Sequence, residues 1–393
     1  MLNKKMTALG QTRSVIREIF EYASVRKKEV GAENVFDFSI GNPSVPAPEC
    51  VNEAIRDLVT NGNSVQLHGY TSAQGALSTR TVIAENLNKK HNIGITPNHI
   101  YMTCGAAASL TISIHAVVCD GDEIIAFTPF FPEYKVFVEK SGAKFVPIPS
   151  RDGDFQIDIP ALENAINQNT KAIIINSPNN PSGVVLTEEN VKQTAELLDK
   201  KSKEYGHPIY IIADEPYREL VYGDVKVPYI MNFYKNTLVC YSYSKSLSIP
   251  GERIGYIAVC PQAEEKDLYA AVCGAGRALG FVCAPSLMQA MVEKCDGATS
   301  DISIYKANRD LLCSALCEYG YTVVKPDGAF YLFLKAPNGD SVEFYERAKK
   351  YDLLLVPADS FGTPGYMRLA YCVTTEQIER SLPAFRALAE SYK

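Results

Sequence analysis

Short apolar runs alternate with longer helical patterns through the middle of the sequence, and this alternation restricts the possible folds more than any other feature. Strands that alternate with helices are typical of an α/β fold with a mostly parallel sheet. We expect strands at residues 99–103, 123–127, 172–176, 209–213, 238–241 and 254–260. The clearest helical patterns between them cover 106–118, 188–205 and 265–272.

The C-terminal part has a different order of elements. Strands are expected at 329–334, 353–356 and 367–371, with helices at 341–350 and 375–391, which indicates a smaller α+β domain. The chain begins with a predicted helix at 12–28, followed by the turn Gly41-Asn42-Pro43. We therefore predict an N-terminal segment (1–45) that packs with the small domain, a large domain (46–285) and a C-terminal small domain (286–393).

Composition excludes several classes of function. The net charge is -6 and no long basic run occurs, which argues against nucleic-acid binding. No apolar run approaches the roughly 20 residues of a transmembrane helix, and the N-terminus lacks the apolar core of a secretory signal. The 11 cysteines and 5 histidines are scattered without metal-ligand spacing. These features predict a soluble, cytoplasmic protein with reduced thiols, no metal site and a small-molecule ligand.

Polar residues follow four of the apolar runs directly. Because ligands bind outside the carboxyl ends of parallel strands, these positions are candidates for a binding site. They are Gly105-Ala106-Ala107, Asn179-Asn180-Pro181, Asp214-Glu215-Pro216-Tyr217 and Ser242-Tyr243-Ser244-Lys245.

Three of these segments contain spaced motifs, N-P-x-G, D-x-x-Y and S-x-S-K-x-x-x-x-x-G-x-R-x-G, in that order. With them, the chain resembles the class I/II aminotransferases of the fold-type I pyridoxal-phosphate superfamily over nearly its whole length. The resemblance implies a large domain around a mostly parallel sheet, a smaller α+β domain, and pyridoxal 5'-phosphate as cofactor.

The resemblance implies a role for each motif residue. Lys245 matches the lysine that forms a Schiff base with the cofactor and carries the proton during catalysis. Asp214 matches the carboxylate that faces the ring nitrogen and keeps it protonated. Tyr217 and Asn180 match the two donors to the ring's phenolic oxygen. Asn179 is the neighbouring alternative, but the motif selects the residue directly before proline.

Further residues match contacts to the cofactor's phosphate and ring. Gly105, Ala106 and Ala107 open a helix whose free N–H groups suit an anion. Ser242 and Arg253 match a hydroxyl and a guanidinium at the same phosphate. Phe131 matches the aromatic residue that stacks on the ring, with Phe130 as the competing choice.

Substrate and dimer contacts are implied in the same way. Arg368 matches the arginine that binds the substrate's α-carboxylate, and Gly41 a glycine that lets the backbone approach the substrate. Asn180 also belongs to the implied substrate site. Tyr70 matches a tyrosine that reaches the phosphate bound by the neighbouring subunit, so a homodimer with shared active sites is expected.

The implied reaction is ping-pong transamination from an L-amino acid to a 2-oxo acid, with aspartate and 2-oxoglutarate favoured. Alanine or an aromatic amino acid is the alternative donor, and a β-eliminating C–S lyase is the alternative reaction on the same scaffold. A dicarboxylic substrate needs a second cation; Arg277 and Arg13 are the candidates. The lysine that one aspartate-specific subgroup uses is replaced by Ala107. A non-catalytic regulator with an aminotransferase-like body is a further alternative.

Overall fold

The computed structural model describes residues 2–12 and 14–393. Its N-terminal segment contains two helices and a short strand: α1 Lys4–Gln11, α2 Val15–Val30 and β1 Phe36–Asp37. The single helix predicted at 12–28 is therefore wrong at its start. Ser14 caps α2 through its side chain, which accepts a hydrogen bond from the Arg17 N–H and so begins a new helix.

A seven-stranded sheet forms the centre of the protein. Its strands follow the spatial order β2-β8-β7-β6-β5-β3-β4. All neighbours from β7 to β4 are parallel, whereas β8 runs antiparallel to both β2 and β7. The strands are β2 Ile100–Thr103, β3 Glu123–Thr128, β4 Lys144–Pro149, β5 Thr170–Asn176, β6 Tyr210–Asp214, β7 Thr237–Ser242 and β8 Gly255–Val259.

Helices cover both faces of this sheet, because its central strands are buried throughout and require apolar partners on each side. They are α3 Glu49–Asn61, α4 Ser64–His68, α5 Leu77–His91, α6 Ala106–Val117, α7 Glu133–Lys140, α8 Ile159–Ala165, α9 Glu188–Tyr205, α10 Tyr243–Ser246, α11 Leu268–Ala278 and α12 Ser286–Lys294. The predicted α/β class with a mostly parallel sheet is confirmed.

The C-terminal part is built on a four-stranded antiparallel sheet with the order β12-β13-β10-β9. A further short strand, β11, pairs in parallel with β1 and so ties the N-terminal segment to this part. The elements are α13 Ser303–Glu318, β9 Thr322–Val324, β10 Tyr331–Lys335, α14 Ser341–Ala348, β11 Leu353–Leu354, β12 Val356–Pro357, β13 Tyr366–Ala370 and α15 Thr375–Glu390.

The packing of apolar side chains bears on the predicted domain bounds. Ile19, Ala23 and Val35 of the N-terminal segment share a buried cluster with residues of β10 and β12, and we propose on this basis that the segment belongs with the small domain. Helix α12, however, buries Met288 and Met291 in the core of the large sheet. We therefore propose that the large domain extends through α12, beyond the boundary predicted at 285.

Three further features concern the cysteines, the helices and the possible metal ligands of the described residues. All 11 cysteines are free thiols. Within residues 2–12 and 14–393, no helix has the length and apolar character needed to cross a membrane. The same ranges contain no group of histidine, cysteine and acidic residues that could hold a metal ion.

Candidate active site

A cavity of about 310 Å³ lies at the carboxyl edge of the large sheet. The last residues of β5, β6 and β7, which are Asn176, Asp214 and Ser242, line it. Because the carboxyl ends of parallel strands meet at one edge, three separate parts of the sequence supply side chains to one site. The N-terminal segment and the small sheet close it from the other side with Gly41, Tyr331 and Arg368, among other residues.

Lys245 lies in α10, the single turn of helix that follows β7. The Ser242 side chain caps this turn by accepting a hydrogen bond from the Ser244 N–H. The Nζ atom of Lys245 donates to the carbonyl of Gly41 at 2.7 Å. Burial lowers the pKa of Lys245 to about 8, and the nearby guanidinium groups of Arg253 and Arg368 act in the same direction, opposed by Cys372. A neutral, nucleophilic amine is therefore accessible near neutral pH.

Asp214 is the one acidic residue among the described residues that line the cavity. Its side chain is buried, and burial raises its pKa to about 7. The hydroxyl of Tyr134 donates to its Oδ2 atom, which partly opposes the rise, whereas Oδ1 has no hydrogen-bond partner among the described residues. A buried carboxylate oxygen without a partner requires an N–H or O–H donor from a bound group.

Tyr217 and Asn180 approach the same cavity from two loops. The Tyr217 hydroxyl lies 3.0 Å from the hydroxyl of Tyr331, and burial raises its pKa well above the usual value, so it remains a protonated donor. The Asn180 side-chain oxygen accepts from Nη1 of Arg368 at 3.3 Å. The side-chain oxygen of Asn179 accepts from Ser182, and of these two neighbours Asn180 is the one that lines the cavity.

One end of the cavity is suited to an anion. Helix α6 begins there with Ala106 and Ala107, whose N–H groups lack the partners they would have inside a helix. Arg253 has a backbone φ of 51°, a left-handed value that is uncommon for a long side chain. Its Nη1 atom lies 3.4 Å from Ser244 Oγ. Gly105, at φ 88°, lies so close to Arg253 that a Cβ there would be 2.9 Å from Nη2.

Arg368 is the second arginine that lines the cavity. It projects from β13, and its guanidinium is buried. One nitrogen donates to the Ser39 carbonyl, while Nε has no hydrogen-bond partner among residues 2–12 and 14–393. The rings of Tyr331 and Phe361 lie 4.9 Å and 5.2 Å from its Cζ atom. A buried cation with an unused donor is suited to bind a carboxylate.

Of the two adjacent phenylalanines, Phe131 lines the cavity. Phe130 instead packs in the core, where its ring meets Phe145 edge to face at 5.0 Å. The side chain that can lie against a flat ligand is therefore that of Phe131.

Two predicted residues, Tyr70 and Arg277, are exposed and are not among the described residues that line this cavity. Tyr70 is 99% exposed, and Arg277 lies on α11. Arg13 lies outside the described residues.

Three residues of the site were missed by the sequence analysis. Asn176 ends β5, so the rule of polar residues at strand ends could have identified it. Tyr134 on α7 and Tyr331 on β10 carry no local signal, because only tertiary packing brings them to Asp214 and Tyr217.

The residues of the cavity fit pyridoxal 5'-phosphate. Arg253 and the start of α6 can hold a phosphate, and Phe131 can cover a ring face. The unpartnered Oδ1 of Asp214 is matched by a ring N–H, and the amine of Lys245 by an aldehyde.

Comparisons with known proteins agree with this fit. Residues 33–385 match the family model for aminotransferases of class I and II. A probable aspartate aminotransferase of Methanocaldococcus jannaschii is 30% identical over 386 residues, which cover 96% of this chain and 97% of the relative. Aromatic-amino-acid aminotransferase 2 of Thermococcus litoralis is 28% identical over 97% of this chain and 96% of its own.

A solved structure is more similar still. The crystal structure of an aminotransferase from Eubacterium rectale is 57% identical, covers 100% of this chain and 99% of its own, and superposes with a TM-score of 0.98. The matched family, the relatives and the arrangement of Lys245, Asp214 and Arg253 agree, and the chain belongs to the pyridoxal-phosphate-dependent aminotransferases of class I and II.

Proposed function

We propose that this protein transfers the amino group of L-aspartate to 2-oxoglutarate by a ping-pong reaction. One observation carries the proposal: a single cavity is lined by a buried amine, Lys245, a buried acid, Asp214, and two guanidinium groups, those of Arg253 and Arg368. One guanidinium serves the phosphate of the cofactor and the other the carboxylate of an amino acid. Both molecules are thereby held in one orientation.

The bound cofactor supplies an aldehyde that combines with amines and a ring that accepts an electron pair from the substrate's α-carbon. The chain supplies the proton chemistry. The Nζ atom of Lys245 would take the proton from the substrate's α-carbon and deliver it to the carbon of the cofactor's aldehyde group, which its lowered pKa favours near neutral pH. Asp214 holds the proton on the ring nitrogen, and Tyr217 and Asn180 donate to the phenolic oxygen.

Arg368 binds the α-carboxylate of the amino acid. Its unpartnered Nε atom lies in a buried setting, where a charge-assisted hydrogen bond is stronger than in water. Asn180 fixes the guanidinium through Nη1 and so contributes to substrate binding as well. Gly41 leaves room beside this pair, because a Cβ at position 41 would overlap the Tyr331 hydroxyl.

The preference for aspartate is supported by the relatives that are named aspartate aminotransferases. Apart from Lys245, Arg253 and Arg368, no cation of the described chain lines the cavity. We propose that a second copy of the chain supplies the cation for the distal carboxylate through Arg277, with Arg13 as the alternative.

An aromatic donor is the second candidate. The mouth of the cavity carries the apolar side chains of Ile16 and Phe131, which suit a ring better than a carboxylate. The relative from Thermococcus litoralis, named an aromatic-amino-acid aminotransferase, also supports this alternative.

We propose that the active form is a homodimer in the cytoplasm. Tyr70 and Val65 are almost fully exposed, and Leu77 is more than half exposed. The segment around Tyr70 is joined to the loop that carries Val282, since the Cys283 N–H donates to the Ala73 carbonyl at 3.4 Å. Exposed apolar residues of this kind mark interfaces. A two-fold arrangement would let Tyr70 reach the phosphate in the partner's site.

A substrate panel tests the function. Purified enzyme with cofactor is mixed with 2-oxoglutarate and L-aspartate, L-alanine or L-phenylalanine, and glutamate is measured. The highest kcat/KM is expected for aspartate, and a higher value for phenylalanine would favour the aromatic alternative. If cystathionine yields pyruvate and ammonia while no amino acid yields glutamate, the enzyme is a C–S lyase instead.

A further inference from the structure

Tyr134 is a fully buried tyrosine on α7 that does not itself line the cavity. Its hydroxyl donates to Oδ2 of Asp214. Burial raises the pKa of Tyr134 well above the usual value, and the neighbouring carboxylate adds to this rise, so the hydroxyl stays protonated. Tyr134 is therefore a permanent donor to the acid that faces the cofactor.

The same side chain also supports Phe131. The two rings meet edge to face, with centroids 5.7 Å apart and an interplanar angle of 84°. Phe131 lies three residues earlier in the sequence, two residues before α7 begins at Glu133. Tyr134 thus contacts both the residue that covers the ring face and the residue that meets the ring nitrogen.

The hydrogen bond from Tyr134 makes the two carboxylate oxygens of Asp214 different from each other. Oδ2 is occupied by Tyr134, and Oδ1 is left without a partner among the described residues. A carboxylate with one oxygen fixed has a defined plane, whereas one with both oxygens free can rotate about its Cβ–Cγ bond. Residues held by such neighbours orient reacting groups more accurately than residues that are packed alone.

We propose that Tyr134 is a positioning residue: through its hydroxyl it directs Oδ1 of Asp214 at the cofactor's ring nitrogen, and through its ring it supports Phe131. This inference rests on the proposed function, because it assumes that the cofactor occupies the cavity. The hydroxyl of Tyr134 orients Asp214, and its ring supports Phe131. One substitution that removes the hydroxyl alone and another that removes both parts can therefore distinguish these two roles.

The test compares Tyr134→Phe, which keeps the ring, with Tyr134→Leu, which loses both contacts. Dissociation constants are measured for pyridoxal phosphate and for an analogue in which C–H replaces the ring nitrogen. Tyr234→Phe is the matched control, because Tyr234 is equally buried and donates to the Ile209 carbonyl at 2.6 Å, just before the start of β6 and so away from the cavity.

Tyr134→Phe is expected to weaken binding of pyridoxal phosphate about tenfold, since hydrogen bonds to charged groups are of this strength. Binding of the nitrogen-free analogue should stay the same, because Asp214 has no N–H to meet there. Tyr134→Leu should bind both compounds more weakly than Tyr134→Phe does, because it also loses the ring that supports Phe131. The holoenzyme of Tyr134→Phe should lose kcat by about tenfold with KM for the amino acid nearly unchanged.

Equal weakening of both compounds by Tyr134→Phe would assign a purely structural role to Tyr134 and overturn the proposal. So would wild-type affinity and kcat in that variant. Tyr234→Phe should change thermal stability alone. The wild-type enzyme is assayed in parallel: if it fails to bind the cofactor or to form glutamate, the proposed function has failed rather than the role of Tyr134.

Discussion

The hydroxyl of Tyr217 lies 3.0 Å from the hydroxyl of Tyr331, and this hydrogen bond joins the loop after β6 to β10 of the small sheet. Tyr331→Phe removes it but keeps the ring over Arg368. A neutral hydrogen bond contributes about 0.5–1.5 kcal/mol, so kcat/KM should fall about three- to tenfold. Steady-state kinetics would measure this.

A control for that variant is Tyr321→Phe. Tyr321 donates to the Phe385 carbonyl at 2.9 Å within the core of the small domain, away from the cavity. Tyr321→Phe also removes one neutral hydrogen bond, so it should lower the free energy of unfolding by about 0.5–1.5 kcal/mol but leave kcat/KM unchanged. If both variants reduce kcat/KM equally, the Tyr217–Tyr331 contact has no special role in the site.

Lys245→Ala should abolish transamination, because it removes the amine that binds the cofactor and moves the proton. Proton transfer by a positioned group contributes roughly 10²–10⁴-fold, and the loss should be at least of this size. Lys235→Ala is the control, since Lys235 is exposed and forms an ion pair with Glu264 at 2.9 Å. A Lys245→Ala enzyme with turnover near wild type would refute the assignment of this lysine.

Capture of the cofactor should depend on pH through Lys245. Its pKa is lowered to about 8 by burial, so the neutral amine increases roughly tenfold per pH unit below 8 and levels off above it. Stopped-flow absorbance of cofactor-free enzyme mixed with pyridoxal phosphate should follow this curve. Pyridoxine phosphate, which lacks the aldehyde, is the control and should bind without that dependence; identical pH curves for both compounds would contradict the prediction.

Asp214→Asn should change how the stability of the cofactor-free protein depends on pH. The pKa of Asp214 is raised to about 7, so between pH 4 and 7 the unfolded chain loses its proton before the folded one does. Wild-type stability therefore falls across this window, by up to about 4 kcal/mol for three pH units, and stays low above it.

The asparagine variant cannot ionise at this position and lacks that decline. The free energy of unfolding of both proteins is measured with denaturant at pH 5 and pH 8. The stability of Asp214→Asn relative to the wild type should be higher at pH 8 than at pH 5. Parallel stability curves for the two proteins would show that Asp214 titrates at its ordinary value.

Arg277→Ala tests the choice of substrate. If a second copy of the chain supplies Arg277 to the distal carboxylate, KM for aspartate should rise at least tenfold, while KM for alanine changes little. Arg380→Ala, a charge removal on α15 in the small domain, serves as control. Equal effects of Arg277→Ala on aspartate and alanine would rule out this role.

The sequence predicted the elements whose pattern is local. Helix α9 agrees with the predicted 188–205, and six strands of the large sheet were found to within about two residues. Strand β4 was missed, because Pro147 and Pro149 interrupt an edge strand that lacks a continuous apolar run. Helix α12 packs on the large sheet through core partners that are distant in sequence, so its proposed place in the large domain could not be read from a local pattern.

The site divides in the same way. Lys245, Asp214, Asn180 and Arg253 stand in spaced motifs, so the sequence could single them out, and the structure brings them to one cavity. Tyr134 acts on that cavity through another side chain, which no spacing reveals. The contact expected for Tyr70 involves a second copy of the chain, so the structure of one chain does not contain it.

The one reversed strand near the site has a consequence for how the site is built. Because β8 runs against β7, the chain leaves the sheet at Ser242 and re-enters it at Gly255 along the same edge. Lys245 and Arg253, the arginine that we propose binds the phosphate, thus belong to one short segment that is held by a strand at each end. A shift of that segment would displace Lys245 and Arg253 together. A substitution that moves it should therefore weaken attachment of the cofactor and binding of its phosphate at the same time.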